Sequence, residues 1–232
     1  MDLYDCIQKR KSVRKYETAP LNPEQLNRIA QFAQSMKALY PNIEVAYEIT
    51  SDVKTLISAK APHYFAVSSE KRDGYLENVG FMFQQTVLYL TSLGLGTCWL
   101  GMAKPGKTLN TSLSPVIIIA FGKAVGSPYR DITEFKRKPL SEVSSGSDER
   151  LEAARLAPSA LNNQNWFFAA AGGKIDVYQK KSIMDKTGKI DMGIAICHLY
   201  AATEHFGNEF VFSKETGKER TGYIYTGTIA GL

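Results

Sequence analysis

No feature restricts the fold of this chain more than the stretch from about Tyr75 to Leu93. Val79, Phe81, Met82, Phe83, Val87, Leu88, Tyr89 and Leu90 cover most of the circumference of a helix there. Such a helix must be buried on nearly every side, and Gly94 stands where a C′ glycine would end it. A second mostly apolar helix is expected from Ile190 to Phe206, closed by Gly207. Shifted by 113 positions, the first overlays the second, with Gly80 on Gly193 and Gly94 on Gly207. Two helices of one protein can also overlay in this way by chance.

The remaining elements follow from local signals. Asn22 caps a helix with Pro23 at its first position and Gln25 at capping-box spacing. Strands are expected at Val45 to Ile49, Tyr64 to Val67 and Val116 to Phe121. The segment from Lys123 to Ser147 lacks periodicity and reads as a linker or surface crossing. A second capped helix is then expected, with Ser147 as N-cap and its end at Ala157 before Pro158. A shift of 125 lays Asn22, Glu24, Leu26 and Ile29 on Ser147, Glu149, Leu151 and Ala154. Trp166 to Ala171 and Ile175 to Tyr178 flank Gly172-Gly173, the signature of a two-residue hairpin. Phe210 to Phe212 and Tyr223 to Thr228 complete the strands, while Lys180 to Lys189 and Lys214 to Arg220 carry no readable pattern. The expected fold is α+β, with two similar sheet-plus-helix halves, 1–143 and 144–232, interlocked as a pseudo-dimer within one chain.

Composition narrows the function classes. Of the 232 residues, 44% are hydrophobic and 22% charged, which excludes a disordered chain or a coiled coil. The apolar runs are too short for a membrane span. Cys6, Cys98 and Cys197 are scattered, which argues against a disulfide framework and for a cytoplasmic location. The net charge of +5 is partly concentrated in Lys9, Arg10, Lys11, Arg14 and Lys15 and in Lys136, Arg137 and Lys138. Such clusters suit an anionic ligand, although they also describe a solvated basic surface. HExxH, GxSxG, Walker A and GxGxxG patterns are missing, no metal set is in view, and no residue stands out as acid or base.

Three segments could carry chemistry. In an extended arm, Arg10, Ser12 and Arg14 point the same way and offer charge-assisted donors; a solvated arm is the plainer reading. From Ala157 through Phe168, a helix ends at Pro158 and small polar residues lead into an aromatic strand, with Ser159 and Asn162 able to bond a planar heterocycle. That segment is also an ordinary helix-to-strand connection. Gly94 to Met102 has glycines that let a ligand approach the main chain, or simply a C-cap before a strand.

Together the three resemble the nitroreductase family of FMN-dependent oxidoreductases. Arg10 to Tyr16 is similar to its R-R-S-x-R-x-F/Y motif, and Ala157 to Phe168 to A-P-S-x-x-N-x-Q-P-W-x-F, with Asn165 in place of the proline. Gly94 to Gly101 is similar to G-L-G-T-C-W-x-G, and Arg137 to Leu140 to R-K-P-L. The resemblance implies cofactor contacts from Arg10, Lys11 and Ser12 at the phosphate and ribityl end, with Arg137 closing the phosphate pocket. Arg14 would lie at the N1/O2 edge, Trp99, Leu100, Gly101 and Met102 near N5, and Pro158, Ser159, Ala160 and Asn162 on the opposite side. It also implies NAD(P)H as donor and a nitroaromatic, quinone or similar small molecule as acceptor. In this chain the A-P-S motif stands on the second capped helix, some 120 residues later than usual. One flavin site completed within a single chain is therefore expected, in a monomer rather than a homodimer whose sites lie between subunits. A non-enzymatic flavin-binding or redox-sensing protein is the competing class; nucleic-acid binding through the arm ranks last.

Overall fold

The computed structural model describes residues 2–55, 60–182 and 185–231; positions 183 and 184, within the unreadable Lys180 to Lys189 segment, lie outside them. The first half holds α1 (Tyr4–Ile7), α2 (Pro23–Gln34), β1 (Val45–Thr50), β2 (Val53–Lys54), β3 (His63–Ser69), α3 (Tyr75–Ser92), β4 (Gly96–Leu100), β5 (Lys104–Pro105) and β6 (Ser114–Gly122). α4 (Leu140–Val143) closes the first half, and the second holds β7 (Ser144–Ser145), α5 (Leu151–Arg155), β8 (Trp166–Ala171), β9 (Lys174–Lys180), α6 (Asp185–His205), β10 (Phe210–Ser213) and β11 (Tyr223–Gly231).

Local chemistry sets several of these bounds. At α2 both halves of the capping box form, since Asn22 accepts the Gln25 N–H and the Gln25 side chain accepts the Asn22 N–H. Between β8 and β9, Gly172 and Gly173 take φ of 57° and 75°, the pair of positive values a type I′ turn demands.

One sheet runs β1-β3-β6-β4, antiparallel throughout; the other runs β10-β11-β9-β8-β7. Read from its other end, the second contains β8-β9-β11-β10, the same order strand for strand. The central helix sits at the same place in each series, α3 between β3 and β4 and α6 between β9 and β10. These two helices lie against each other within one continuous apolar core that takes in Phe65 and Phe121 from one sheet and Phe168 and Val177 from the other. Their contact is reciprocal. A Cβ at Gly80 would run into the Ile190 carbonyl, and one at Gly193 into the Glu77 carbonyl. Both pairs of equivalent positions are 113 apart, so the glycines that overlay in sequence are the ones that let the backbones meet.

Two expectations need correction. Ser147 does not cap a helix, because α5 starts only at Leu151. Asp148 instead turns back to accept the Arg150 N–H and to pair with its guanidinium at 2.7 Å. The stretch at Ser144 and Ser145 is not a free linker but β7, parallel to β8 at the edge of the second sheet. No described helix is long and apolar enough to cross a membrane.

Candidate functional site

The N-terminal arm is sewn in by its backbone. Val13 N–H donates to the Thr97 carbonyl (2.8 Å), Glu17 N–H to Lys123 (2.9 Å), and Arg130 N–H to Lys9 (2.9 Å). Extended chain alternates its side chains, and the arm does so from Ser12 to Arg14, with Tyr16 departing from the alternation. Val13 and Tyr16 enter an apolar cluster, while Ser12 and Arg14 face a cavity. Gly96 is required here, since a Cβ would stand 2.8 Å from Val13.

The cavity holds about 360 Å³, within the range of small-molecule sites. One wall is Ser12 and Arg14 with Cys98, Trp99, Gly101 and Met102. The other is the corner from Pro158 to Leu161, with Ile190, Asp191 and Ile194 of α6 behind it. A Cβ at Gly101 would meet nothing within 4 Å, so the main chain there is open to a ligand. Met102 and Leu161, 66% and 81% exposed, stand on opposite walls.

The corner is strained. Leu161, Asn162 and Gln164 have φ of 52°, 58° and 51°, a region that costs side-chain-bearing residues energy and persists only when the surroundings enforce it. Enforcement is visible in its hydrogen bonds. Ala160 N–H donates to both oxygens of Asp191 (3.1 and 3.0 Å), and Gln164 N–H donates to Ser159 Oγ (3.0 Å). Arg137 donates to the carbonyls of Leu156 (3.2 Å) and Ala157 (3.1 Å) and to Asn162 Oδ1 (2.6 Å). Asn162 Nδ2 donates to the Lys136 carbonyl (2.8 Å).

Behind the arm lies an unusual cation. Arg10 is 1% exposed, and none of its three guanidinium nitrogens has a hydrogen-bond partner among the described residues. Burial, then the neighbouring charges of Arg130 and Arg137, pulls its pKa down to about 9. Arg130 also has a buried Nε without a partner, and its guanidinium stacks on Phe135 at 4.5 Å, with Arg137 over the same ring at 5.4 Å. Removing a charge from water without pairing it is costly. Three cations whose fields converge on empty donors have the chemistry of a site for a strong anion.

The sequence-derived candidates therefore divide. Ser12, Arg14, Trp99, Gly101, Met102, Pro158, Ser159 and Ala160 share the cavity. Leu100 is not on its wall; the side chain is buried in the cluster with Val13, Tyr64 and Ile118. Lys11 is half-buried and off the wall. Arg137 and Asn162 are spent on holding the corner rather than facing the cavity. Arg130 and Asp191 went unnoticed in the sequence. Arg130 carries no motif of its own, whereas Asp191 could have been noticed as an acid within an otherwise apolar stretch.

A buried polar relay runs from Trp99 of the cavity wall into the core. Trp99 Nε1 donates to Gln84 Oε1 (3.2 Å), and Gln84 Nε2 reaches His198 Nε2 (2.8 Å). His198 Nδ1 reaches the Ala153 carbonyl (2.8 Å). A carbonyl only accepts, so the ring proton sits on Nδ1 and Nε2 accepts from Gln84. Burial, with Arg10 and Arg137 adding to it, holds the His198 pKa down at about 3 and keeps the ring neutral.

Architecture and cavity together define an α+β protein of the nitroreductase-like class. The family model described as "Putative TM nitroreductase" matches residues 2–203, and the chain belongs to that family. A crystal structure from Thermotoga maritima, described as a putative nitroreductase, superposes with a TM-score of 0.71 at 24% identity, covering 100% of this chain and 94% of that one. That likeness establishes the fold. A nitroreductase family protein of Clostridium difficile 630 aligns at 20% identity and a TM-score of 0.49, covering 64% of this chain and 99% of its own. An FMN-dependent nitroreductase of Clostridium difficile R20291 aligns at 16% and 0.46, covering 62% and 98%. No curated protein matches.

Proposed function

We propose that this chain is an FMN-dependent oxidoreductase that takes electrons from NAD(P)H and passes them to small electron-poor acceptors such as quinones or nitroaromatics. The observation that carries this reading is Arg10, a buried guanidinium with no nitrogen partnered among the described residues, on the same arm as Ser12 and Arg14 of the cavity wall. A phosphate monoester supplies the acceptors those donors lack.

Arg10, with the charge of Arg130 and Arg137, would hold the phosphate, and Lys11 and Ser12 would stand beside it and the ribityl chain. Arg14 would face the pyrimidine edge of the ring, where a guanidinium favours the anionic reduced state and raises the potential. Trp99, Gly101 and Met102 would border one side of the ring, with Leu100 supporting that strand from the core. Pro158, Ser159 and Ala160 would border the other, kept in place by Arg137 and Asn162. Bound FMN would supply hydride acceptance and donation. The chain's own work is to orient it, exclude water with the apolar wall of Ile190 and Ile194, and leave room for one planar partner. Lys104, Lys107 and Lys186 line a shallow groove that shares Gly101 and Met102 with the cavity, a surface suited to an anionic dinucleotide. Each half, 1–143 and 144–232, would supply one wall, so the site is complete in a monomer built as an internal pseudo-dimer.

Flavin quantitation with a visible spectrum tests this. One FMN per chain is expected, bleached by NAD(P)H and restored by a quinone or nitro compound. A chain that takes up no FMN, or two equivalents, overturns the reading. A yellow protein inert to both donor and acceptor replaces the enzyme with a flavin binder.

A further inference from the structure

The long helices place a polar residue at matching positions, 113 apart: Asn78 on α3 and Asp191 on α6. Each reaches across to the segment that follows the shorter helix of its own half. Asn78 is fully buried; its Oδ1 accepts the N–H groups of Leu39 and Tyr40, both at 2.9 Å, and its Nδ2 donates to the Tyr40 carbonyl at 3.3 Å. Both polar atoms of that side chain are partnered, and the clamp needs no acid. Asp191 accepts one N–H, from Ala160, shared between its two oxygens. It is 9% exposed, has no cationic partner among the described residues, and forms part of the cavity wall. At the cavity the second half has thus a carboxyl where the first half, away from the cavity, does the same structural task with an amide.

We propose that Asp191 is the proton donor for acceptors that enter this cavity, an inference that rests on the flavin reading above. A quinone there takes a hydride, two electrons, from the reduced cofactor, and its developing oxyanion takes the Asp191 proton. The hydroquinone leaves, the cofactor is oxidised by two electrons, and water returns a proton to the carboxylate. Sharing the cavity lining with Asp191 are Ser12 and Arg14 from the arm, Cys98 from β4, Ser159 from the corner and Thr187 from α6 itself. Arg14 is the one charged group among these. Burial lifts the carboxyl pKa to about 7, with the Ala160 N–H pulling the other way, so a proton is available at neutral pH.

Asp191→Asn separates the two tasks. Its amide oxygen can still accept the Ala160 N–H, as Asn78 does for Leu39 and Tyr40, but it has no proton to give. In the reduced holoprotein, reoxidation by a quinone needs a proton, and reoxidation by ferricyanide, a one-electron acceptor, does not. The ratio of the two rates should fall about 100-fold in the variant, within the usual span for a lost general acid. Infrared titration should show a protonated-carboxyl stretch that disappears near pH 7 in the wild type and is missing from the variant. A ratio unchanged to within about threefold, or no such infrared band, overturns the proposal. If the wild type takes up no flavin, the function reading falls first. If it binds and reduces flavin normally and only the ratio stays flat, the proton role alone is lost.

Discussion

The two halves of this molecule share a strand order and differ in what they leave unfinished. Around α3, the polar groups close on one another: Asn78 saturates the Leu39–Tyr40 turn, and Gln85 donates to the Lys37 carbonyl while accepting its N–H. Around the arm and the corner after α5, groups are left open. Among the described residues Arg10 has no acceptor, Asp191 has one shared donor, and three side-chain-bearing residues sit at positive φ. A framework used only for stability satisfies its buried polar atoms. Where the same framework tolerates unsatisfied charge and strain, the ligand proposed above would supply the missing partner.

The arm offers the sharpest way to break that contrast. Arg10→Met fills the same space without charge and should weaken FMN binding by roughly 10²–10³-fold, the scale of about 3–5 kcal/mol for removing one side of a buried ion pair. The ligand-free protein should be no less stable, and its Tm should stay level or rise. Flavin titration and thermal melts check both. A large loss of stability without flavin would mean that Arg10 is paired in the free protein after all. The helix crossing comes next. Gly80→Ala and Gly193→Ala each drive a methyl into the facing carbonyl, and overpacking of this kind costs about 3 kcal/mol. The two substitutions should cost nearly the same in denaturant unfolding, because the contacts are equivalent. Unequal losses would show that the symmetry of the crossing is not matched in energy.

Much of this framework was legible because its signals are local. Asn22 and Gln25 announce α2, Gly172-Gly173 announces the hairpin, and the apolar circumference of α3 announces a central helix. Ser147 misled because tertiary pairing overrode it: β7 takes Ser144 and Ser145 into a sheet edge, and Asp148 prefers its own Arg150. At the cavity, the arm's alternation grouped Arg10, Ser12 and Arg14, of which Ser12 and Arg14 line the wall and Arg10 does not, and no spacing rule says that Arg137 and Asn162 will bond each other. Arg130 and Asp191 escaped notice because their importance lies in what surrounds them after folding, namely two other guanidiniums and the Ala160 N–H.

Exchanging the matched polar residues probes the contrast through pH. The Asp191 pKa rises in the folded state from 3.8 to about 7 because burial disfavours the charge. Stability associated with the neutral carboxyl is therefore fully present below pH ~4 and lost as pH rises toward ~7. Asp191→Asn removes that loss, so its stability relative to wild type should increase across this window. The shift limits the gain to roughly 4 kcal/mol, and the new amide's unsatisfied N–H groups reduce it to about 2 kcal/mol at pH 8. Asn78→Asp should do the reverse, destabilising the first half at pH 8 and recovering toward pH 4. Urea unfolding of both variants at the two pH values measures this. Parallel pH dependence in both would erase the distinction between the helices.

The smallest effect concerns what joins the halves. Trp99 and Gln84 belong to the first, His198 and Ala153 to the second, and their hydrogen bonds run in series through the core. Trp99→Phe leaves Gln84 Oε1 without the indole donor and should cost about 1 kcal/mol. His198→Phe should cost more by itself, since it strands the Gln84 amide and the Ala153 carbonyl together. In a double-mutant cycle the two should couple by about 0.5–1 kcal/mol, because the second change removes a network that the first has already opened. Strict additivity would mean that apolar packing alone holds the halves together, and that Trp99 is positioned by its own strand rather than from across the molecule.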